Sequence, residues 1–344
     1  MKIAYFIPYI AKSGPVSVVY SLAQRLSREH EIDIFYFKDI NRFDFLLPTK
    51  RISLFEYIDF DKYDILHSHG IVPDSYLWWH SSSITRAKSI TTLHNYVKED
   101  SRYRYGPIKA HLLPKVWNLV TSKHDGVVTL SKDAIEYYRK FWYNKNLFYV
   151  YNGIPKDVER DIEYVDIDES EVKIGAIGSS DTSRVKGFDQ AIRAIAKLSN
   201  CTLHIAGDGR EIEELREMAE DLGVEDRVNF VGFQDDISSF VDSMDMFIVP
   251  SRSDGFPLAL QEIVRGKRVV VCSDIPIFRE IFDSSEVVYF KLDDIDDLVD
   301  GIERAISSSI ELSTRAYRRF LDSYTVESMS MNYLDIYKNI TKLV

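Results

Sequence analysis

Two carboxylates eight residues apart flank a turn in the stretch PSRSDGFPLALQE, residues 250–262. Asp254 ends a loop that follows the apolar run MFIV, and Gly255 to Leu258 read as the start of a helix that carries Glu262 about two turns further on. The amides of Gly255, Phe256, Leu258 and Ala259 could receive phosphate or sugar oxygens; Pro257 has no N–H to give. Asp254 and Glu262 would then accept hydrogen bonds from hydroxyls on two parts of one ligand, as a carboxylate grips the vicinal hydroxyls of a ribose. The plainer alternative makes Asp254 a helix N-cap and Glu262 a surface residue.

A second set of charges lies in IGAIGSSDTSRVKG, residues 174–187. Arg184 and Lys186 come just before the helical stretch GFDQAIRAIAKL, where the helix dipole disfavours cations. A bound diphosphate would reverse that balance, with guanidinium gripping oxygens in bidentate fashion and Lys supplying a point charge. The alternative is a pair of solvated surface charges. The spacing is neither G-x-G-x-x-G nor GxxxxGK[ST], so dehydrogenase and P-loop readings lose their main support. Near the start, AKSGPV puts Gly14 in a turn and Pro15 at a helix's first position, with free amides suited to an anion; an ordinary strand-to-helix turn would look the same. His67 and His69 in DILHSHG and His94 in TLHNY stand at strand ends, where open α/β sheets bind ligands. His67 and His69 are expected on opposite sides of their strand, which argues against a shared metal. His67 reads as structural, and His94, opening a long loop, as a substrate contact.

These residues need a scaffold that gathers strand ends. The apolar runs at 3–7, 32–37, 64–69, 89–94, 126–130 and 147–151 read as strands with amphipathic helical stretches between them, such as 16–29 and 132–141. A second series follows at 172–178, 202–207, 227–232, 246–250, 268–272 and 287–290, with a helix over 210–222. The fold class is therefore α/β, with two doubly wound parallel sheets, each with its own switch point, facing a cleft. The charged segment 156–171 is the linker candidate, and the last thirty residues read as helical. Residues 1–160 carry 23 Lys and Arg against 17 Asp and Glu, and residues 161–344 carry 20 against 37. A basic half beside an acidic half suggests that the first meets something anionic, and the acidic half argues against nucleic acid. Cys201 and Cys272 fit small buried hydrophobes in a reducing compartment. The opening MKIAYFIPYIAKSG reads as a buried strand rather than a signal peptide, and no apolar run reaches the roughly 18 residues of a membrane span.

The segment 102–124 interleaves Arg102, Arg104, Lys109, Lys115 and Lys123 with Leu112, Leu113, Val116, Trp117 and Leu119. It could lie on an anionic membrane surface or be an ordinary helix packed on the sheet. Asp59-Phe-Asp61 and Asp166-Ile-Asp168 look like a metal-binding D-x-D, but neither follows an apolar strand, and both read as solvated loop charges.

Taken together, these motifs resemble the retaining glycosyltransferases of family 4, on the two-domain GT-B fold, over nearly the whole chain. PSRSDGFPLALQE resembles that family's E-x7-E segment, with Asp254 where the family usually has Glu. VYNGIP (150–155) is similar to its inter-domain Asn-Gly turn, and HIAGDG (204–209) with RVNFVGFQDD (227–236) to its Gly-Asp-Gly and base-binding loops. The resemblance implies a Rossmann-like acceptor domain over 1–160, a nucleotide-sugar domain over 161–322, and a C-terminal helix, 323–344, returning to the first domain. It implies that Glu262 holds the nucleotide ribose, while Asp254 and the amides of Gly255 and Phe256 hold the donor sugar. Arg184 and Lys186 would hold the diphosphate, and Gly14 and Gly207 would let the backbone approach the donor. Phe233 and Gln234 would lie by the base, and His94 beside donor sugar and acceptor. The implied reaction moves a hexose from a nucleotide diphosphate sugar, UDP-hexose before GDP-mannose, to a glycan or lipid-linked hydroxyl. No cofactor and no catalytic metal are expected, and a cytoplasmic, peripheral membrane location follows. An epimerase or hydrolase of the same fold, or a non-catalytic nucleotide-sugar binding protein, would share these features.

Overall fold

The computed structural model describes residues 1–11, 13–40, 46–144, 146–156, 161–178 and 183–342; side chains at 100, 102–107, 109, 110, 183 and 184 are outside the description. Residues 157–160 of the expected linker are among those not described. The chain divides into two compact units, Met1–Pro155 with Ser323–Val344, and Lys156–Asp322.

The first unit runs β1 (Lys2–Ile10), α1 (Gly14–Leu26), β2 (Glu31–Asp39), β3 (Thr49–Arg51), β4 (Ile65–His69), α2 (Ile71–Trp79), β5 (Lys88–Thr92), α3 (Val97–Thr121), β6 (Gly126–Thr129), α4 (Lys132–Arg139) and β7 (Leu147–Tyr149). Its sheet has the order β3-β2-β1-β4-β5-β6-β7 and is parallel throughout, so the winding reverses between β1 and β4. Both faces of a parallel sheet are covered, which is why β1 is buried from Ile3 to Ile7. On one face Phe6 packs with Phe35, Phe60, Leu66 and Tyr76.

The second unit runs β8 (Val172–Ile177), α5 (Ser183–Lys186), α6 (Phe188–Ile195), β9 (Cys201–Ala206), α7 (Ile212–Asp221), β10 (Val228–Gly232), α8 (Ile237–Asp242), β11 (Met246–Val249), α9 (Leu258–Arg265), β12 (Val269–Ser273), α10 (Pro276–Ile281), β13 (Val288–Phe290), α11 (Ile295–Ser307) and α12 (Ser309–Ser323). Its sheet, β10-β9-β8-β11-β12-β13, is also parallel and reverses between β8 and β11. Buried Arg268 donates to the carbonyls of Met244, Asp242, Glu163 and Gly266, which ties the segment entering the unit to the start of β12.

Helix α13 (Val326–Lys342) belongs to the first unit. Its Tyr337 hydroxyl lies 3.0 Å from that of Tyr5 and 2.8 Å from His67 Nδ1, and its Tyr333 hydroxyl lies 3.0 Å from Thr92 Oγ1. A Cβ on Gly153 would fall 2.2 Å from the Thr325 carbonyl oxygen, so this close backbone approach requires glycine. Cys201 and Cys272 are buried and free. No helix among the described residues is long and apolar enough to cross a membrane.

Candidate active site

In the second unit the carboxyl ends of β8, β9 and β10 finish in Gly178, Gly207 and Gly232. Gly207 has φ 140° and its amide donates to the Gly232 carbonyl at 2.9 Å; a Cβ there would lie 1.8 Å from the Gly178 carbonyl oxygen. Only glycine tolerates that conformation, so the sheet edge stays bare backbone. After β8 the chain reaches α5, whose Lys186 sends Nζ to Asp254 Oδ2 at 2.6 Å. Gly187, at φ 71°, lets α6 begin against the Pro250 carbonyl, 2.0 Å from where a Cβ would stand.

The loop after β11 is pinned from beneath. Arg252 makes a bidentate pair with Asp189 at 2.9 and 2.8 Å and also reaches Asp293, while its amide donates to the Val185 carbonyl at 2.7 Å. Gln190 Nε2 donates to the Pro250 carbonyl at 2.9 Å, and its Oε1 accepts from the Asp293 amide at 2.8 Å. Sequence reading missed Arg252, Asp189 and Gln190; the available signal was an arginine inside PSRSDG with an acid two residues after Lys186-Gly187. Their work is to hold Asp254 and Lys186 within hydrogen-bond range.

Asp254 does not cap α9. The residue before Leu258 is Pro257, no side chain caps the helix, and the Asp254 carboxylate turns to Lys186 instead. Gly255 and Phe256 are buried, and Leu258 and Ala259 are half-buried at the helix start. Glu262 sits on the same helix with its pKa raised to about 7, by burial first and with Arg265 partly offsetting it. Its side chain is half-buried, and such a departure makes it a functional candidate. Phe233 is exposed just beyond β10, and Gln234 Nε2 donates to the Val231 carbonyl at 2.7 Å. Lys186, Asp254, Gly207 and Glu262 thus share one unit; the Arg184 side chain lies outside the described residues.

In the first unit His94 stands two residues past β5, with its Nε2 2.8 Å from His69 Nδ1. The expectation that His67 and His69 face opposite sides fails. Residues two apart on a strand point the same way, and the two rings lie tilted by 35° with centroids 4.2 Å apart. His67 is structural as expected, hydrogen-bonded to Tyr337 and Thr92 at 2.8 Å each. Burial lowers the pKa of all three histidines, His94 to about 4, so the cluster is neutral at pH 7. Gly14 is the exposed first residue of α1, which has no side-chain cap.

Trp117 departs from its expected surface role. Its indole N–H donates at 2.5 Å to Asp74, which is fully buried, with its pKa raised to about 6 by desolvation and also accepts from Ser68. Lys115 is exposed on α3; the side chains of Arg102, Arg104 and Lys109 lie outside the described residues. Asp61 is no loose loop charge: it accepts from the Thr85 hydroxyl and from the amides of Thr85 and Arg86, and its pKa falls to about 2.

Two doubly wound parallel sheets, one with cation, carboxylate and bare glycine backbone at its carboxyl edge, define a GT-B glycosyltransferase fold. It is similar to that of sucrose-phosphate synthase from Thermosynechococcus elongatus (TM-score 0.82, 16% identity, 100% of each chain) and of Anabaena Alr3699/HepE in complex with UDP and glucose (TM-score 0.82, 16% identity, 98% of this chain and 100% of that one). Residues 12–158 match Glycosyltransferase Family 4, and residues 159–319 match Glycosyl transferases group 1. The chain is also 30% identical over 362 residues to the O-antigen biosynthesis glycosyltransferase WclY of Escherichia coli, covering 100% of each. It belongs to this glycosyltransferase family.

Proposed function

We propose that the protein transfers a hexose, with retention, from a nucleotide diphosphate sugar to a hydroxyl of a glycan or lipid-linked saccharide. The observation that carries this reading is the 2.6 Å pair of Lys186 and Asp254 in the unit whose α9 bears half-buried Glu262. In the reaction the bond from anomeric carbon to diphosphate oxygen breaks, and negative charge gathers on the departing diphosphate. Lys186 and the amides at the start of α9 stabilise that charge, the term that most lowers such a barrier. The acceptor hydroxyl attacks from the same face, and its proton passes to a diphosphate oxygen, so no metal is required. Asp254 then serves donor-sugar hydroxyls and Glu262 the ribose, with exposed Phe233 beside the base. The UDP and glucose held by Alr3699/HepE favour a UDP-hexose, with GDP-mannose second. The likeness to WclY supports a role in polysaccharide or glycoconjugate biosynthesis, with the enzyme cytoplasmic and peripheral at a membrane that carries the acceptor.

Nucleotide release from UDP- and GDP-sugars, measured with and without a saccharide acceptor, tests the reading. Acceptor-dependent release and a product of unchanged anomeric configuration by NMR are expected. Lys186→Ala should lower kcat by about two to three orders of magnitude while the melting temperature holds. Wild-type turnover in that variant would overturn the assignment. So would a product formed from donor alone, or donor binding without release under any acceptor.

A further inference from the structure

We propose that His69 is a positioning residue that fixes the tautomer of His94, so that His94 meets its substrate as a hydrogen-bond donor and not as a base. The sheet register makes the pair. β4 and β5 run parallel with His69 opposite Thr92. β4 is one of the two strands between which the winding reverses, the place where open α/β sheets take ligands. His94 lies two residues beyond Thr92, and its Nε2 comes 2.8 Å from His69 Nδ1. One of these two nitrogens carries the shared proton and the other accepts it. Both rings are neutral at pH 7, because burial disfavours the imidazolium. Two arrangements are therefore open, and they give His94 opposite characters.

The surroundings of His69 decide between them. Its side chain is fully buried, and its Nε2 has no hydrogen-bond partner among the described residues. The ring of His67 lies beside it, but both nitrogens there are committed, Nδ1 to the Tyr337 hydroxyl and Nε2 to Thr92 Oγ1. The Tyr5 ring, its centroid 6.2 Å away, turns its hydroxyl to Tyr337. If His94 Nε2–H were the donor, His69 would accept at Nδ1 and carry its own proton on Nε2. That N–H would lose its hydration and gain no acceptor, and a buried orphan N–H is the rarer fault in folded chains. The favoured arrangement puts the proton on His69 Nδ1 and leaves a bare lone pair at Nε2. His94 Nε2 then accepts, and the proton of His94 sits on Nδ1. His94 is half-buried, so this N–H is the ring group left for a ligand. It can hold a hydroxyl oxygen of the donor sugar or the acceptor but takes no proton from it. That agrees with a diphosphate oxygen as the base in the transfer proposed above. The substrate half of the inference rests on that reading; the tautomer does not.

The full-length protein, isotope-labelled in its histidines, is read by long-range proton–nitrogen correlation NMR at neutral pH with neither donor nor acceptor. The His94 and His69 signals are identified by their loss in His94→Asn and His69→Asn. Both rings should carry their proton on Nδ1. Asn at position 69 keeps a group able to donate where Nδ1 stood, whereas Asp offers only acceptor oxygens there. Turnover of whichever UDP- or GDP-sugar reacts is compared at about pH 8.5, above the range in which an imidazole beside a carboxylate is charged. It should stay within about threefold of wild type in His69→Asn and fall at least about tenfold in His69→Asp and His69→Ala. A proton on His94 Nε2 in the wild-type spectrum overturns the proposal, whether or not the Asp variant folds. So does a His69→Asp enzyme as active as His69→Asn, and so do equal losses in all three variants, which would make the role merely structural. A chain that turns over no sugar donor would sink the transfer reading, and the spectrum alone would then decide the tautomer.

Discussion

Glu262 should couple donor binding to pH in a direction set by its burial. Desolvation raises its pKa from the usual 4.5 to about 7. At about 1.4 kcal/mol per pH unit, ionising it costs the folded protein about 3 kcal/mol more than the unfolded chain. Stability from this group is therefore fully present below the unfolded pKa and is lost as pH rises through 7. A ribose held by the ionised carboxylate returns part of that cost, so binding releases a proton when the free protein starts protonated. The affinity for a UDP-sugar should be flat above about pH 7.5 and fall about tenfold per pH unit below about pH 6.5. Isothermal titration with UDP-glucose reads this cleanly, because a diphosphate diester has no group of its own titrating there, whereas UDP does. Glu262→Gln should weaken binding at least about tenfold at high pH, by loss of charge-assisted hydrogen bonds, and abolish the slope. The same variant should melt higher than wild type at pH 8 and about level with it at pH 4, below the unfolded pKa, because a neutral isostere removes the desolvated charge. A flat affinity profile in wild type, or an equal slope in Glu262→Gln, refutes the assignment of this carboxylate to the donor.

Two further outcomes follow from the scaffold. Gly207→Ala forces a Cβ to within 1.8 Å of the Gly178 carbonyl oxygen at φ 140° and should destabilise the protein by more than about 3 kcal/mol in urea unfolding; a loss under 1 kcal/mol would show that the sheet edge yields. Tyr337→Phe deletes a hydroxyl shared by His67 and Tyr5, both buried, and should cost about 1–3 kcal/mol with UDP-glucose affinity unchanged, since its partners lie in the first unit; a weakened affinity would contradict that independence.

The architecture was legible because parallel sheets are covered on both faces, so their strands are short, nearly continuous apolar runs between amphipathic helices. β3 escaped for the same reason: Thr49–Arg51 is three exposed polar residues on a sheet edge, with no pattern to detect. Lys186 stood out in the sequence because a cation before a helix is unfavourable, and Asp254 because a strand ended in its turn. Arg252 did not, because an arginine between serines looks solvated until the fold brings Asp189 and Asp293 to it. The two misreadings were errors of period rather than gaps in information. His67 and His69 are one strand repeat apart and had to share a face. Trp117 lies about 140° around α3 from Leu112 at 3.6 residues per turn, so counting it with the apolar surface residues put one face's anchor on the other. Trp117 is turned in to Asp74, and the apolar residues left outside, Ile108, Leu112, Val116 and Leu119, lie on a different face of α3.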